Sequence, residues 1–367
     1  MNEIARGAAV AAELRRLGVD FLLVSTPVNV RYLSGYTGSN GLVLIAADRA
    51  GEHRFFTDFR YTTQSAQEVP DVFTREIAPA DLLEAAARSL GPGGVAGEQV
   101  LGFDDASLTV KQHTRLRELL TPGWGFLPCS GVVERLREVK DEAEIARIRA
   151  AAELADEALG RVLEAGLAGR SERDVAIELE LQMRRLGAQA ASFPSIVASA
   201  AHGALPHAEP RDVEIARGVL VTIDWGAVLD GYCSDCTRTY ATGPLSQEAA
   251  AVYELVLHAQ EAALAAVCAG IGGREVDAVA RSIIEQADHA EHFGHGVGHG
   301  VGMEIHEAPR LSRTAGDEPL RAGNVVTVEP GVYVPGSLGV RIEDLAVVGE
   351  SGNERLTGLS KELTTLD

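Results

Sequence analysis

The chain has 367 residues, enough for two domains with separate cores. Its 46% apolar and 23% charged content is that of a soluble globular protein, and a net charge of -20 excludes nucleic acid as a partner, because phosphate binding needs clustered Lys and Arg. The first residues have no signal-peptide layout and apolar runs such as 42–47 are far short of a membrane span, so the chain reads as cytoplasmic with no membrane partner.

Residues 1–130 read as an α/β domain. An amphipathic helix over 5–17 stops at Gly18; strands follow at 21–24, 42–46 and 54–57, and helices fit 82–90 and 109–120. The turn formers and aromatics of 29–41 (NVRYLSGYTGSNG) predict a loop at a surface or interface, and 121–128 (TPGWGFLP) predicts a break. Composition then changes, which places a second domain at 131–367. Residues 140–160 are Ala-rich, with acids early and apolar residues at helical spacing, and predict a strong helix. A second helix fits 171–186 with Ser171 as N-cap. After Ala190 the text is β-rich, interrupted by helices at 248–267 and 276–286. The two halves of this domain share a helix-then-strand order.

Four cysteines are scattered, and the pair Cys233 and Cys236 lacks the second pair that a zinc site needs; they read as reduced thiols. Residues 219–240 predict a hairpin turning at Asp230–Gly231, in which Asp235 falls opposite Asp224 and shares its face. A second hairpin over 324–348, turning at 335–337, sets Glu329 opposite Glu343. Like charges placed opposite one another destabilise a sheet, so two such pairs call for a cation or for protonated acids. Between the hairpins, 293–307 (FGHGVGHGVGMEIHE) carries His295, His299 and His306 among five glycines, a density that lets backbone and ligand groups approach closely. A phosphate cradle is excluded, since no Gly-Lys-Ser/Thr follows. Four carboxylates and one imidazole form an oxygen-dominated set suited to manganese or similar ions.

The segments 199–210 (SAAHGALPHAEP), 223–240 (IDWGAVLDGYCSDCTRTY), 294–307, 328–333 (VEPGVY) and 340–344 (VRIED) resemble the pita-bread family of dinuclear metallopeptidases, specifically its Xaa-Pro branch of aminopeptidase P and prolidase. The first domain resembles, more loosely, a creatinase-like N-terminal domain. The resemblance implies an α/β N-terminal domain joined to an α+β pita-bread catalytic domain. Its implied metal ligands are Asp224, Asp235, His299, Glu329 and Glu343, with Asp235 and Glu343 shared by two divalent ions: manganese, with cobalt or zinc as alternatives. The implied reaction is attack of a metal-bridging hydroxide on the bond between an N-terminal residue and proline. Glu329 is the implied proton acceptor, His207 and His306 the donors to substrate and tetrahedral intermediate, and Arg341, two residues before Glu343, a holder of a carboxylate or peptide carbonyl. His202 and His295 read either as catalytic or as fixing loops through their ring nitrogens. The implied partners are a proline-containing peptide and a second copy of the chain. All five ligand positions are filled, which sets aside metal-free creatinase and non-catalytic peptide-binding relatives. Between the two peptidase types, the 29–41 segment leans towards aminopeptidase P, with prolidase as the alternative.

Overall fold

The structure, a computed structural model, describes residues 2–48, 50–91, 99–120 and 123–366. These divide into two compact units at Leu136–Arg137, shortly past the change in composition near residue 130.

In the first unit α1 (Glu3–Leu17) is opened by the Asn2 side chain, which accepts from the Ala5 N–H, and is closed by Gly18 at φ 69°, where a side chain would be strained. Then come β1 (Phe21–Val24), α2 (Pro27–Ser34), β2 (Leu42–Ala46), β3 (Arg54–Asp58), α3 (Thr62–Glu68), β4 (Thr74–Ala78), α4 (Leu82–Leu90), β5 (Gln99–Phe103), α5 (Val110–Leu119) and β6 (Trp124–Pro128). The strands form one mixed sheet in the order β4-β3-β2-β1-β5-β6, antiparallel about β2 and parallel towards both edges. Leu23, Leu44, Phe56, Leu101, Leu116 and Trp124 share its core.

Two expectations fail here. Much of the predicted 29–41 loop is helical: Pro27 sits at the first turn of α2, where its missing N–H costs nothing, and Val30 and Leu33 bury one face. Tyr36 beyond it is buried, its hydroxyl 3.2 Å from that of Thr57. The predicted break at 121–128 is in part the edge strand β6, and an edge position tolerates Pro128. Thr121 and Pro122 of that stretch lie outside the described residues.

A short helix, α6 (Glu134–Glu138), spans the division between the units. The second unit then repeats one pattern twice. Helices α7 (Glu142–Leu163) and α8 (Glu172–Arg185) precede β7 (Ala190–Ala191), β8 (Ile196–Ser199), β9 (Leu220–Trp225), β10 (Ala227–Leu229), β11 (Tyr232–Cys233) and β12 (Cys236–Ala241). Helices α9 (Gln247–Ala266) and α10 (Gly273–Gln286) precede β13 (Gly298–Gly300), β14 (Glu307–Leu311), β15 (Val325–Val328), β16 (Gly331–Val334), β17 (Leu338–Arg341), β18 (Asp344–Gly349) and β19 (Gly352–Arg355). The helix starts are coded locally: Asp141 and Glu144 form a reciprocal capping box, and Ser171 and Ser246 accept from the N–H groups of Asp174 and Ala249.

Each helix pair covers strands of its own half. Leu159, Val175 and Leu179 pack with Val221, Ile223 and Trp225, while Val256, Ala280 and Ile284 pack with Val326, Val328 and Val340. A fully buried aliphatic side chain in such a seam contributes about 1.5–3 kcal/mol. Trp225 is fully buried and its indole N–H donates to the Ala155 carbonyl at 2.9 Å, so it packs behind the sheet. The strands thereby present their carboxylates from a rigid, apolar-backed platform. Among the described residues no helix is long and apolar enough to cross a membrane.

Candidate metal centre

Asp224 lies on β9, Asp235 just before β12, His299 in the middle of β13, Glu329 just after β15, and Glu343 between β17 and β18. The register of the second hairpin follows the sequence expectation. Val328 pairs with Asp344 and Gly331 with Arg341, so Glu329 and Glu343 are opposed where the ladder passes from one sheet to the next. The first hairpin differs by two residues. Leu229 pairs with Tyr232 around a tight Asp230–Gly231 turn with φ 49° and 80°, and Thr237, not Asp235, stands opposite Asp224. Asp235 keeps the parity of Thr237 and therefore the face of Asp224.

Oxygens of Asp224, Asp235 and Glu343 lie within 4.8 Å of one another. The His299 Nε2 is 3.3 Å from Glu329 Oε1 and 3.6 Å from Asp235 Oδ2, so the five residues form one cluster. The other ring nitrogen of His299 is 3.1 Å from the Gly300 carbonyl, an acceptor that fixes the proton on Nδ1 and leaves Nε2 facing the carboxylates. Glycines make this placement possible: a Cβ at Gly298 or Gly300 would collide with the Thr327 or Ala308 carbonyl. Thr327 in turn donates to Glu329 at 3.2 Å and accepts from the His299 N–H at 3.0 Å.

The charges are strongly frustrated. Burial, reinforced by the charges of Glu343, Asp224 and Glu329, pushes the Asp235 carboxyl well above the usual range. Burial and the charges of Glu329 and Asp224 do the same to Glu343, and burial raises Asp224 despite Arg341. Burial also works against ionised Glu329, but the His299 hydrogen bond and charge outweigh it and bring its carboxyl down to about 2. One oxygen each of Asp224 and Glu343 is buried without a hydrogen-bond partner. Orphaned buried carboxylate oxygens are costly and rare, and here both belong to members of the same acidic cluster. That donor set fits divalent cations.

The remaining candidates divide by what they touch. His306 lies beside His299, ring centroids 4.4 Å apart, and burial together with the His299 charge lowers its pKa. His207 is exposed. His295 has both nitrogens engaged, one 2.8 Å from the Gly296 carbonyl and one 2.9 Å from the Tyr333 hydroxyl, which favours the loop-fixing reading. His202 is held by Glu172 at 2.9 Å. Arg341 is buried and donates to Asp224 (2.6 Å), Thr237 (3.1 Å), the Tyr333 hydroxyl (2.9 Å) and the Pro206 carbonyl (3.1 Å). Its guanidinium is committed to the protein, which leaves little of it to hold a substrate carboxylate.

Sequence reasoning missed several members of this shell. Thr237 donates to Glu343 at 2.7 Å, and Tyr333 links His295 to Arg341. Both lie inside quoted motifs at the right strand parity, which was the available signal. Arg137 and Lys140 were not legible in that way. Both are buried and converge on Glu307 at 2.6 Å each, next to His306.

Comparison with known proteins bears on the same residues. Residues 146–350 match Metallopeptidase family M24, and residues 6–139 match the Creatinase/Prolidase N-terminal domain. The chain belongs to metallopeptidase family M24. An Xaa-Pro dipeptidase from Bacillus anthracis superposes on this M24 chain with a TM-score of 0.93 and 38% identity over the whole of both chains, so the architecture is the pita-bread fold with its N-terminal domain. An Xaa-Pro dipeptidase from Pyrococcus horikoshii is 35% identical over 94% of each chain. An X-Pro aminopeptidase from Thermotoga maritima is 35% identical, with a TM-score of 0.87 over 96% of this chain and 99% of its own. The dipeptidase neighbour fits more closely, and the leaning towards aminopeptidase P drawn from 29–41 is not supported.

Proposed function

We propose that the protein is an Xaa-Pro dipeptidase that hydrolyses the bond between an N-terminal residue and proline. The observation that carries this reading is the convergence of four carboxylates and the Nε2 of His299 with two buried, unpartnered oxygens, in a chain similar over its full length to Xaa-Pro dipeptidases. Asp224, Asp235, His299, Glu329 and Glu343 would hold two divalent ions, manganese first. Such ions acidify water (one metal can move its pKa from 15.7 to about 7) and polarise a scissile carbonyl.

The chain's own groups do the rest. Glu329, 3.3 Å from the His299 Nε2, would accept the proton released as water attacks, the role that the resemblance to the family implies. His207 and His306, the latter beside His299, would donate N–H groups to the substrate and the developing oxyanion. Arg341 orients Asp224 and, through Tyr333, the His295 loop. An Xaa-Pro bond has no N–H, so general peptidases that grip that N–H lose a contact there.

A second reading, X-Pro aminopeptidase, is favoured by the Thermotoga neighbour. Hydrolysis of an Xaa-Pro dipeptide compared with an Xaa-Pro-Xaa tripeptide by the manganese-loaded chain separates the two. Preferred cleavage of the dipeptide supports the proposal; turnover of the tripeptide alone refutes it. The resemblance to the Xaa-Pro branch further suggests a homodimer, which light scattering would report as twice 38.8 kDa. Four free cysteines support a reducing, cytoplasmic setting.

A further inference from the structure

The first residue of α8, Glu172, is far in sequence from every residue assigned above, yet its carboxylate is completely buried. A buried carboxylate is costly unless it is saturated with donors. Here the donors come from one short segment. Oε1 accepts from the Ser199 N–H (2.9 Å), the Ser199 hydroxyl (2.8 Å) and Arg211 Nη2 (3.2 Å), while Oε2 faces His202 Nδ1 (2.9 Å), the Arg211 N–H (3.2 Å) and Arg211 Nε (3.1 Å). One side chain thus ties together both ends of the stretch 199–211.

The middle of that stretch is fastened from the other side. Arg341, which holds Asp224, donates to the Pro206 carbonyl, and Gly203 packs so closely on Gly339 that a Cβ at Gly339 would strike the Gly203 carbonyl. Between the two fastenings Leu205 and His207 point outward and Ala208 is buried. The position of His207 relative to the carboxylates is therefore set by two anchors, one of them Glu172.

We propose that Glu172 is a positioning residue for His207, acting on the reaction through the geometry of the 199–211 segment and not through the cluster itself. The inference rests on the peptidase reading for its kinetic consequence, but the structural claim stands apart from it. Burial works against the ionised carboxylate, but the Arg211 and Ser199 hydrogen bonds hold Glu172 below the usual range, so the anchor is charged at neutral pH. His202 acquires a role as part of the same anchor.

The test is a double-mutant cycle on the metal-loaded chain, with Glu172→Gln, His207→Ala and the pair, read as kcat/KM on an Xaa-Pro dipeptide. A misplacement of about 1 Å costs on the order of a hundredfold, so Glu172→Gln should lose roughly ten- to a hundredfold. In the His207→Ala background it should lose less than about threefold further, because coupled residues are not additive. Bound metal per chain should stay unchanged. Full multiplicative losses, or loss of metal, overturn the proposal. His202→Gln, which removes a single partner of Glu172, provides the same comparison should Glu172→Gln fail to fold, with a smaller loss that also vanishes in the His207→Ala background. Amide hydrogen exchange decides independently of turnover. Both variants should exchange faster over 200–210 and unchanged over 324–344, and an unchanged 200–210 overturns the anchor. If the wild-type chain cleaves no Xaa-Pro peptide, the functional reading falls while the exchange result still judges Glu172.

Discussion

Replacing Asp235 by Asn should stabilise the metal-free chain while destroying its response to metal. Oxygens of Asp224, Asp235 and Glu343 lie within 4.8 Å of one another, a spacing at which two like charges cost about 3 kcal/mol at an effective dielectric constant of about 20. Burial, reinforced by these like charges, pushes the Asp235 carboxyl well above its usual range, and a proton relieves the cost in the absence of a cation. An acid raised on folding gives stability that is complete below the unfolded value, near 4, and is lost as the pH rises through the folded value. At pH 7 the metal-free wild type should therefore be handicapped, and the neutral amide should remove up to about 3 kcal/mol of that handicap. For a unit of this size roughly 2–4 °C accompanies each kcal/mol, so the melting temperature in chelator should rise by up to about 6–12 °C. Addition of manganese should stabilise the wild type by about 2.7 kcal/mol at a hundredfold excess over Kd, raising its melting temperature, and leave the variant nearly unmoved. Differential scanning calorimetry of both chains at pH 5 and pH 7, with and without metal, gives all eight values. A variant less stable than wild type in chelator, or one with an undiminished manganese response, would refute the electrostatic argument.

Exhaustive chelation should abolish turnover and added manganese or cobalt should restore it, with metal analysis of the reconstituted protein approaching two ions per chain; full activity without detectable metal would contradict the site. His207→Ala and His306→Ala should each retain metal and lose about a hundred- to a thousandfold in kcat, the effect of removing one oxyanion donor; loss of metal instead would make them ligands. In the first unit, the Nδ1 of buried His53 accepts from the Ala46 N–H at 3.1 Å, and burial depresses its pKa below 6.5. That contribution is complete above pH 6.5 and lost as the pH falls through the folded value, so His53→Asn, which keeps an acceptor but does not titrate, should show a shallower acid loss in chemical denaturation. Parallel pH profiles would dismiss the role of His53.

The candidate residues were legible because strand parity and turn chemistry are local. The turn at 335–337 sets Glu329 opposite Glu343, as the ladder has it, and His299 stands out between glycines that close backbone approach requires. The same reasoning puts the first hairpin two residues out of register: pairing Asp224 with Asp235 centres it one residue before the Asp230–Gly231 turn on which it closes, so Thr237 faces Asp224. Helix α2 was hidden by the Asn, Ser and Gly content of 29–41, which outweighed the Pro27 start and the Val30 and Leu33 face. The buried anchors were out of reach for a different reason. Glu172, Arg137 and Lys140 sit in ordinary helical or connecting text, and only tertiary pairing across tens to hundreds of residues brings Glu172 to His202 and the two cations to Glu307.

The two-part build of the second unit has one more consequence. Asp224 and Asp235 belong to the half led by α7 and α8, whereas His299, Glu329 and Glu343 belong to the half led by α9 and α10. The ligand set proposed above draws on both halves, so bound metal would clasp them together, and its departure would time their separation. The rate at which a colorimetric chelator strips the protein should follow the contacts between the halves, and Thr222→Val, which removes a hydrogen bond from one half to the Gly339 carbonyl of the other, should quicken it.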